Sequence, residues 1–130
     1  QDALERRHIE TVEPLEGDWS ANSGYEAGGY LAEHDRAMTA IYAANDQMAN
    51  GAIAALRDSG LRVPEDVQVI GFDNNEESAY FQPPLTTMDS RLDWTAPTAV
   101  NRILGRIDGS ITKPELLTTE SQVIARASTR

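Results

Sequence analysis

Cysteine is absent from this sequence of 130 residues, which excludes disulfides and thiolate metal sites and fits a cytosolic chain. No apolar run approaches the roughly 20 residues that a membrane-spanning helix needs, and no charged-then-apolar start resembles a signal peptide. Bases are scarce. Eleven Lys and Arg stand against 21 Asp and Glu, and the formal net charge of −10 argues against this chain gripping nucleic acid itself. His8 and His34 share no ligand spacing with each other or with carboxylates, so no metal site is expected. Asn22–Gly24 and Gly28–Gly29 do not fit a phosphate loop or a dinucleotide turn, and no nucleophile elbow is present. Glu65–Asp66 and Glu76–Glu77 read as solvated faces, not as a catalytic dyad. Neither enzymatic chemistry nor a cofactor is expected.

What is there is an ordinary globular composition, 40% hydrophobic and 25% charged, long enough for one domain with a real core. The sequence starts at Gln1 without a Met, and we expect a piece of a longer protein. Its clearest unit runs from Ala40 to Asn74. The apolar run Thr39–Ala44 stops at Asn45–Asp46, and Ala49, Ala52, Ile53 and Leu56 follow at helical spacing. Asp46 is most simply the N-cap of that helix, although Asn45 could close the turn in the same way. Gly60 and Pro64 end the helix, and Val67, Val69, Ile70 and Phe72 form a second apolar run closed by Asp73–Asn74–Asn75. This is a β-α-β unit.

On either side the pattern is weaker. Gln1–Arg7 reads as the tail of a helix, His8–Val12 as a short strand, and Glu13–Asp18 as an acidic loop. Ser20 can cap a helix reaching His34, where Gly24, Gly28 and Gly29 each cost about 1 kcal/mol relative to Ala unless they permit a close neighbour. Asp73–Gln82 reads as a polar loop with an aromatic, proline-stiffened end, followed by an extended Leu85–Met88. Ala96, Val100, Ile103, Leu104 and Ile107 lie at helical spacing up to Gly109, and Leu116–Ile124 is β-rich. Residues 1–88 carry 16 acids and 5 bases while 89–130 carry 5 and 6, a shift that marks a change of structural unit.

These β-α steps predict an α/β fold with a doubly wound parallel sheet and helices on both faces. Ligands in such sheets bind outside the carboxyl ends of the strands, which places Trp19, Asn45 and Asp73 along one rim. An indole can stack on the C–H face of a sugar while an amide and a carboxylate bond its hydroxyls.

The runs EGDWSANSGY, TAIYAANDQMANGAIAALRDSGLRVPEDVQVIGFDN and PPLTTM resemble the effector-binding domain of the LacI/GalR family of bacterial transcription regulators. The similarity runs from about Leu15 to the ending ARASTR, and the order of these motifs makes it specific. The resemblance implies a periplasmic-binding-protein-like fold of two α/β subdomains with a small carbohydrate effector in the cleft between them. It implies a homodimer that binds operator DNA through a headpiece preceding this chain, in the cytoplasm and without a membrane. Effector contacts carried over are Trp19, Asn45 and Asp73, with Ser90 on the crossing strand. There the best-matching branch of the family carries Gln and then Phe, where this chain has Ser90 and Leu92, a departure that removes an amide and an aromatic wall. Dimer contacts carried over are Asn50 and Ala54 on the helix and Tyr80 and Phe81 in the loop.

The resemblance also divides the chain. Residues 1–88 fall in the C-terminal subdomain, 89–119 return through the N-terminal one, and 120–130 form the last strand and tail of the C-terminal subdomain. The first β-α of that subdomain would precede Gln1, which predicts an empty slot between strands at His8–Val12 and Thr39–Ala44. A periplasmic sugar-binding protein of a transporter shares the fold and is the alternative. A hydrolase using Asp46 or Asp73 lacks a nucleophile and base.

Overall fold

The computed structural model describes residues 2–130. A short helix α1 (Asp2–Glu5) is followed by an irregular stretch, helix α2 (Ala21–His34), strand β1 (Ala40–Tyr42), helix α3 (Asp46–Asp58) and strand β2 (Gln68–Phe72). A 3-10 helix (Glu76–Tyr80), strand β3 (Thr86–Asp89), helix α4 (Leu92–Ile107) and strand β4 (Gln122–Ile124) complete the chain. The strands lie in the order β1-β2-β3-β4. The pairs β1–β2 and β2–β3 are parallel and β3–β4 is antiparallel, so the expected fold class stands but the sheet is mixed.

The β-α-β unit forms as its periodicity predicts. Ala49, Ile53 and Leu56 on α3 pack with Val67 and Val69 around β2 and with Leu85, the last residue before β3. Leu56, Val69 and Leu85 are completely buried, and each such side chain contributes roughly 1.5–3 kcal/mol of apolar burial. Among the described residues α3 is the helix that packs broadly on the sheet, while α2 packs along α3. The expected cover of helices on both faces is therefore met on one face only.

The glycines of α2 and α3 let the two backbones touch. A Cβ on Gly24 would run into the backbone of Met48, and one on Gly51 into the Ala21 carbonyl. Gly29 differs, because a Cβ there would meet nothing within 4 Å. Gly29→Ala is therefore expected to raise stability by about 0.5–1 kcal/mol, read as a shift in urea midpoint at constant m-value.

Three sequence readings change. His8–Val12 is not a strand: His8 is left-handed (φ 55°) and Ile9 N–H bonds Leu4 C=O, so the segment begins as the C-terminal turn of α1. Ile9 and Val12 then stand exposed, because alternation makes a strand only where a neighbour supplies the ladder. Gln1, part of the expected helix tail, lies outside the described residues. The outer edge of β1 is unpaired among the described residues, but the slot predicted beside it has no strand on its far side. Of Leu116–Ile124, only β4 pairs, because β3 offers it partners at Thr87, Met88 and Asp89 alone.

Helix α4 stands off the sheet. It begins at Arg91, which is left-handed (φ 55°) and offers no side-chain cap, and Gly109 (φ 79°) follows its end. Val100, Ile103, Leu104 and Ile107 occupy the expected apolar face, yet all are exposed.

Candidate functional site

Among the described residues, four of the five non-glycine residues with positive φ (Trp19, Asp73, Asn74 and Arg91) lie at the carboxyl ends of the strands or in the turn before α2. Such backbone is costly and collects where a side chain must be held in an unusual direction. The cause is local at each point.

Trp19 (φ 71°) follows Asp18, whose Oδ1 accepts from the Ser20 N–H at 3.0 Å and from its hydroxyl at 2.5 Å. Those bonds, the Ser20 hydroxyl foremost, hold the Asp18 carboxyl below its ordinary pKa. Ser20 in turn caps α2 by accepting from the Ser23 N–H, as its sequence position predicts. The Trp19 carbonyl is gripped from α3, where Asn45 Nδ2 donates to it at 2.9 Å. The backbone is fixed at both ends while the indole is 66% exposed.

Asn45 is the N-cap of α3, with Oδ1 accepting from the Met48 N–H at 2.8 Å. Both polar groups of its buried side chain are thus used within the protein. Asp46, expected as the cap, sits one residue into the helix and is completely buried. Its carboxyl accepts from Asn75 N–H at 2.9 Å, from the Thr87 hydroxyl at 2.5 Å and from the Ser78 hydroxyl. It thereby pins the loop after β2 and the middle of β3 to the start of α3. Gly71 makes room for it, since a Cβ there would strike Asp46 Oδ1.

Asp73 (φ 111°) ends β2, and its N–H bonds the Met88 carbonyl on β3 at 2.9 Å. Among the described residues no hydrogen bond reaches its carboxyl group. Burial, and then the field of Asp46, push that carboxyl above its ordinary pKa. Asn74 (φ 58°) follows. Its side chain accepts from Arg126 Nη2 at 2.8 Å and donates to Asp89 Oδ2 at 3.4 Å. Ser90 comes one residue after β3, and its hydroxyl is buried without a hydrogen-bond partner, as is that of Thr95 on α4.

The structure thus brings Trp19, Asn45 and Asp73 to one end of the sheet, through Asn45 bonding Trp19 and Asp46 acting on Asp73. Ser90 lies at the same end, on the strand that leads away to α4. The rim is an open shelf, and two hollows lie elsewhere. One of about 450 Å³ borders Ile53, Arg57, Leu61 and Pro83, and one of about 230 Å³ borders Val12, Leu15 and Tyr30. Sequence reasoning missed Asp46 as a hub, and Asn74 and Arg126 altogether. The only signal was a chain of small polar residues at strand ends, whose partners are 13–52 positions away. No group of three or more His, Asp or Glu among the described residues could hold a metal.

Residues 1–129 match the family model described as a periplasmic binding protein-like domain. The chain belongs to that family. Within it, this periplasmic-binding-protein-like domain is similar to LacI-type regulators, as its motifs imply. It is 39% identical over 120 residues to the lactose operon repressor of Escherichia coli K12, covering 92% of the chain and 33% of that protein. It is 40% identical over 133 residues to the transcriptional repressor PurR of Aliivibrio fischeri, covering 96% of the chain and 40% of that protein. A dimeric lac repressor structure superposes on 98% of the domain with a TM-score of 0.91 at 37% identity, covering 47% of that chain. The regulator CelR in complex with cellobiose gives a TM-score of 0.91 at 32% identity, over 98% of the domain and 39% of its own chain. The domain spans less than half the length of each of these relatives.

Proposed function

We propose that this domain is the ligand-sensing and dimerising part of a sugar-responsive, cytoplasmic transcription regulator of the repressor type. The observations that carry this are an exposed, backbone-clamped Trp19 indole in the turn before α2 and, after the carboxyl end of β2, an Asp73 carboxyl that accepts no hydrogen bond among the described residues. An aromatic platform beside a hydrogen-bond acceptor suits a polyhydroxylated ring. Asn45 holds the platform in place more than it offers itself to a ligand, since both its polar groups are occupied. Ser90 stands at the same end of the sheet, but its hydroxyl is buried, so a ligand would bond it only where the chain opens toward α4.

A neutral carbohydrate would lie between this shelf and a second lobe, to which residues 89–119 contribute α4. Its apolar face is the surface that the second lobe would cover. Binding would favour one arrangement of the lobes and, through the dimer, one arrangement of DNA-binding headpieces. In that dimer Tyr80, 78% exposed, would anchor the partner beside Asn50 and Ala54, whereas Phe81 turns toward the core and supports it. The similarity to transcriptional repressors favours this reading over a transporter's binding protein.

A thermal-shift panel on the intact protein, with lactose, cellobiose, their monosaccharides and purine bases, tests the reading. A sugar that binds only the folded state raises the melting temperature. A shift with bases and none with sugars would overturn it. In the same protein Asp73→Asn is expected to weaken the responding sugar about ten- to hundredfold, as loss of a charge-assisted hydrogen bond does, and to leave operator affinity unchanged. Titration calorimetry and an operator-binding assay read the two effects separately.

A further inference from the structure

Asp73 and Asn74 are consecutive non-glycine residues with positive φ; beyond the main-chain bond from Asp73 N–H to the Met88 carbonyl, side-chain bonds from distant elements hold them there. On one side, the Asp46 carboxyl takes the Asn75 N–H, and the Thr87 hydroxyl that donates to Asp46 also accepts from the Asn74 N–H at 3.3 Å. On the other side stands Arg126, just past β4. Its Nη1 donates to the Leu85 carbonyl at 2.7 Å and its Nη2 to Asn74 Oδ1 at 2.8 Å. Its backbone N–H bonds the Thr86 hydroxyl at 2.8 Å, so the guanidinium projects from a fixed base. Asn74 then reaches Asp89 Oδ2, while Asp89 Oδ1 accepts from the Arg91 N–H at 2.7 Å, where the chain turns left-handed toward α4.

We propose that Asn74 and Arg126 are positioning residues: together they aim Asp73 at the ligand and tie its turn to Asp89, where the chain leaves the sheet for α4. This rests on the reading of Asp73 as a ligand contact. A sugar bonded to Asp73 pulls on a turn that is strapped to both strands joining the sheet to α4. The strap lets ligand occupancy bias how α4 and its lobe sit. Neither residue touches the ligand.

Glycine at position 74 separates positioning from mere accommodation of φ. Glycine adopts positive φ without strain, so Asn74→Gly satisfies any purely conformational demand but removes the strap. In the intact protein, Asn74→Gly is expected to keep the parent melting temperature while lactose or cellobiose, whichever the parent binds, weakens about tenfold in calorimetry. Arg126→Met is expected to weaken that sugar by a similar factor, and the double variant to be no worse than either single one, the mark of two residues acting as a unit. Hydrogen exchange reads the same device without any ligand: in Arg126→Met the amides of Asn74 and Asn75 should exchange about tenfold faster than in the parent. Parent-like sugar affinity in Asn74→Gly would overturn the proposal. If the parent binds no sugar of the thermal-shift panel, the carbohydrate reading fails by itself, and unchanged exchange at Asn74 and Asn75 in Arg126→Met overturns the strap independently.

Discussion

Asp46→Ala should cost about 3–5 kcal/mol of folding stability, a large share of the roughly 5–15 kcal/mol that holds a domain together. Three donors lose their acceptor at once: the Asn75 N–H and the hydroxyls of Ser78 and Thr87. Ser78 and Thr87 are themselves completely buried, so water cannot replace the carboxyl without opening the core. Each stranded donor costs about 1–3 kcal/mol, and the methyl group of alanine also leaves a void beside Gly71. Asp46→Asn keeps the volume and one acceptor oxygen but points an NH2 group at donors, so it should fall between parent and alanine. Urea titration of the intact protein measures both. A loss near 1 kcal/mol for alanine would mean that Asp46 acts only as a helix-terminal residue, which is what its sequence position alone suggests.

The second large effect concerns the crossing of α2 and α3. Gly51→Ala should destabilise by about 2–3 kcal/mol, although alanine in a helix interior normally gains about 1 kcal/mol over glycine. The new methyl would meet the Ala21 carbonyl and the Tyr25 N–H, both main-chain groups that cannot rotate away. The helices would have to separate, and the strain would spread to Gly24 against Met48 and to Gly28, where a Cβ would come within 2.8 Å of the Ala52 Cα. Gly51→Ala and Gly29→Ala are therefore the same chemical change with opposite expected signs. Thermal or urea unfolding that gave both the same sign would show that the two helices are not held at this close approach.

Much of this was legible in the sequence for a simple reason: the β-α-β unit is local. Ala49, Ile53 and Leu56 at helical spacing, a polar cap before them and Gly60 after them specify α3 without outside help. Ser20 specified α2 in the same way, and its glycines signalled a close neighbour. The errors sit where the deciding partner is remote or the choice is between adjacent residues. Asn45 and Asp46 are both good caps, and only the point where the backbone becomes helical decides between them. His8–Val12 alternates like a strand but has no neighbour to bond. Leu116–Ile124 has strand composition, yet three residues pair because β3 offers no more. In the candidate site, Asn45 and Asp73 were readable as strand-end residues and Trp19 as part of the turn before α2. Asn74 and Arg126 were not, because nothing in either neighbourhood announces a partner 52 positions away.

Ser128 sets a constraint on when this molecule can fold. Its hydroxyl donates to the Val69 carbonyl at 2.6 Å and accepts from the Thr86 N–H at 2.7 Å, and its own N–H bonds the Pro84 carbonyl at 3.0 Å. One buried serine therefore seals the junction of β2 and β3 from 59 positions downstream of Val69. During synthesis at about 5–20 residues per second, those strands emerge seconds before the residue that closes them. Until residues 126–129 have cleared the ribosome, the nascent sheet lacks this buried cross-link.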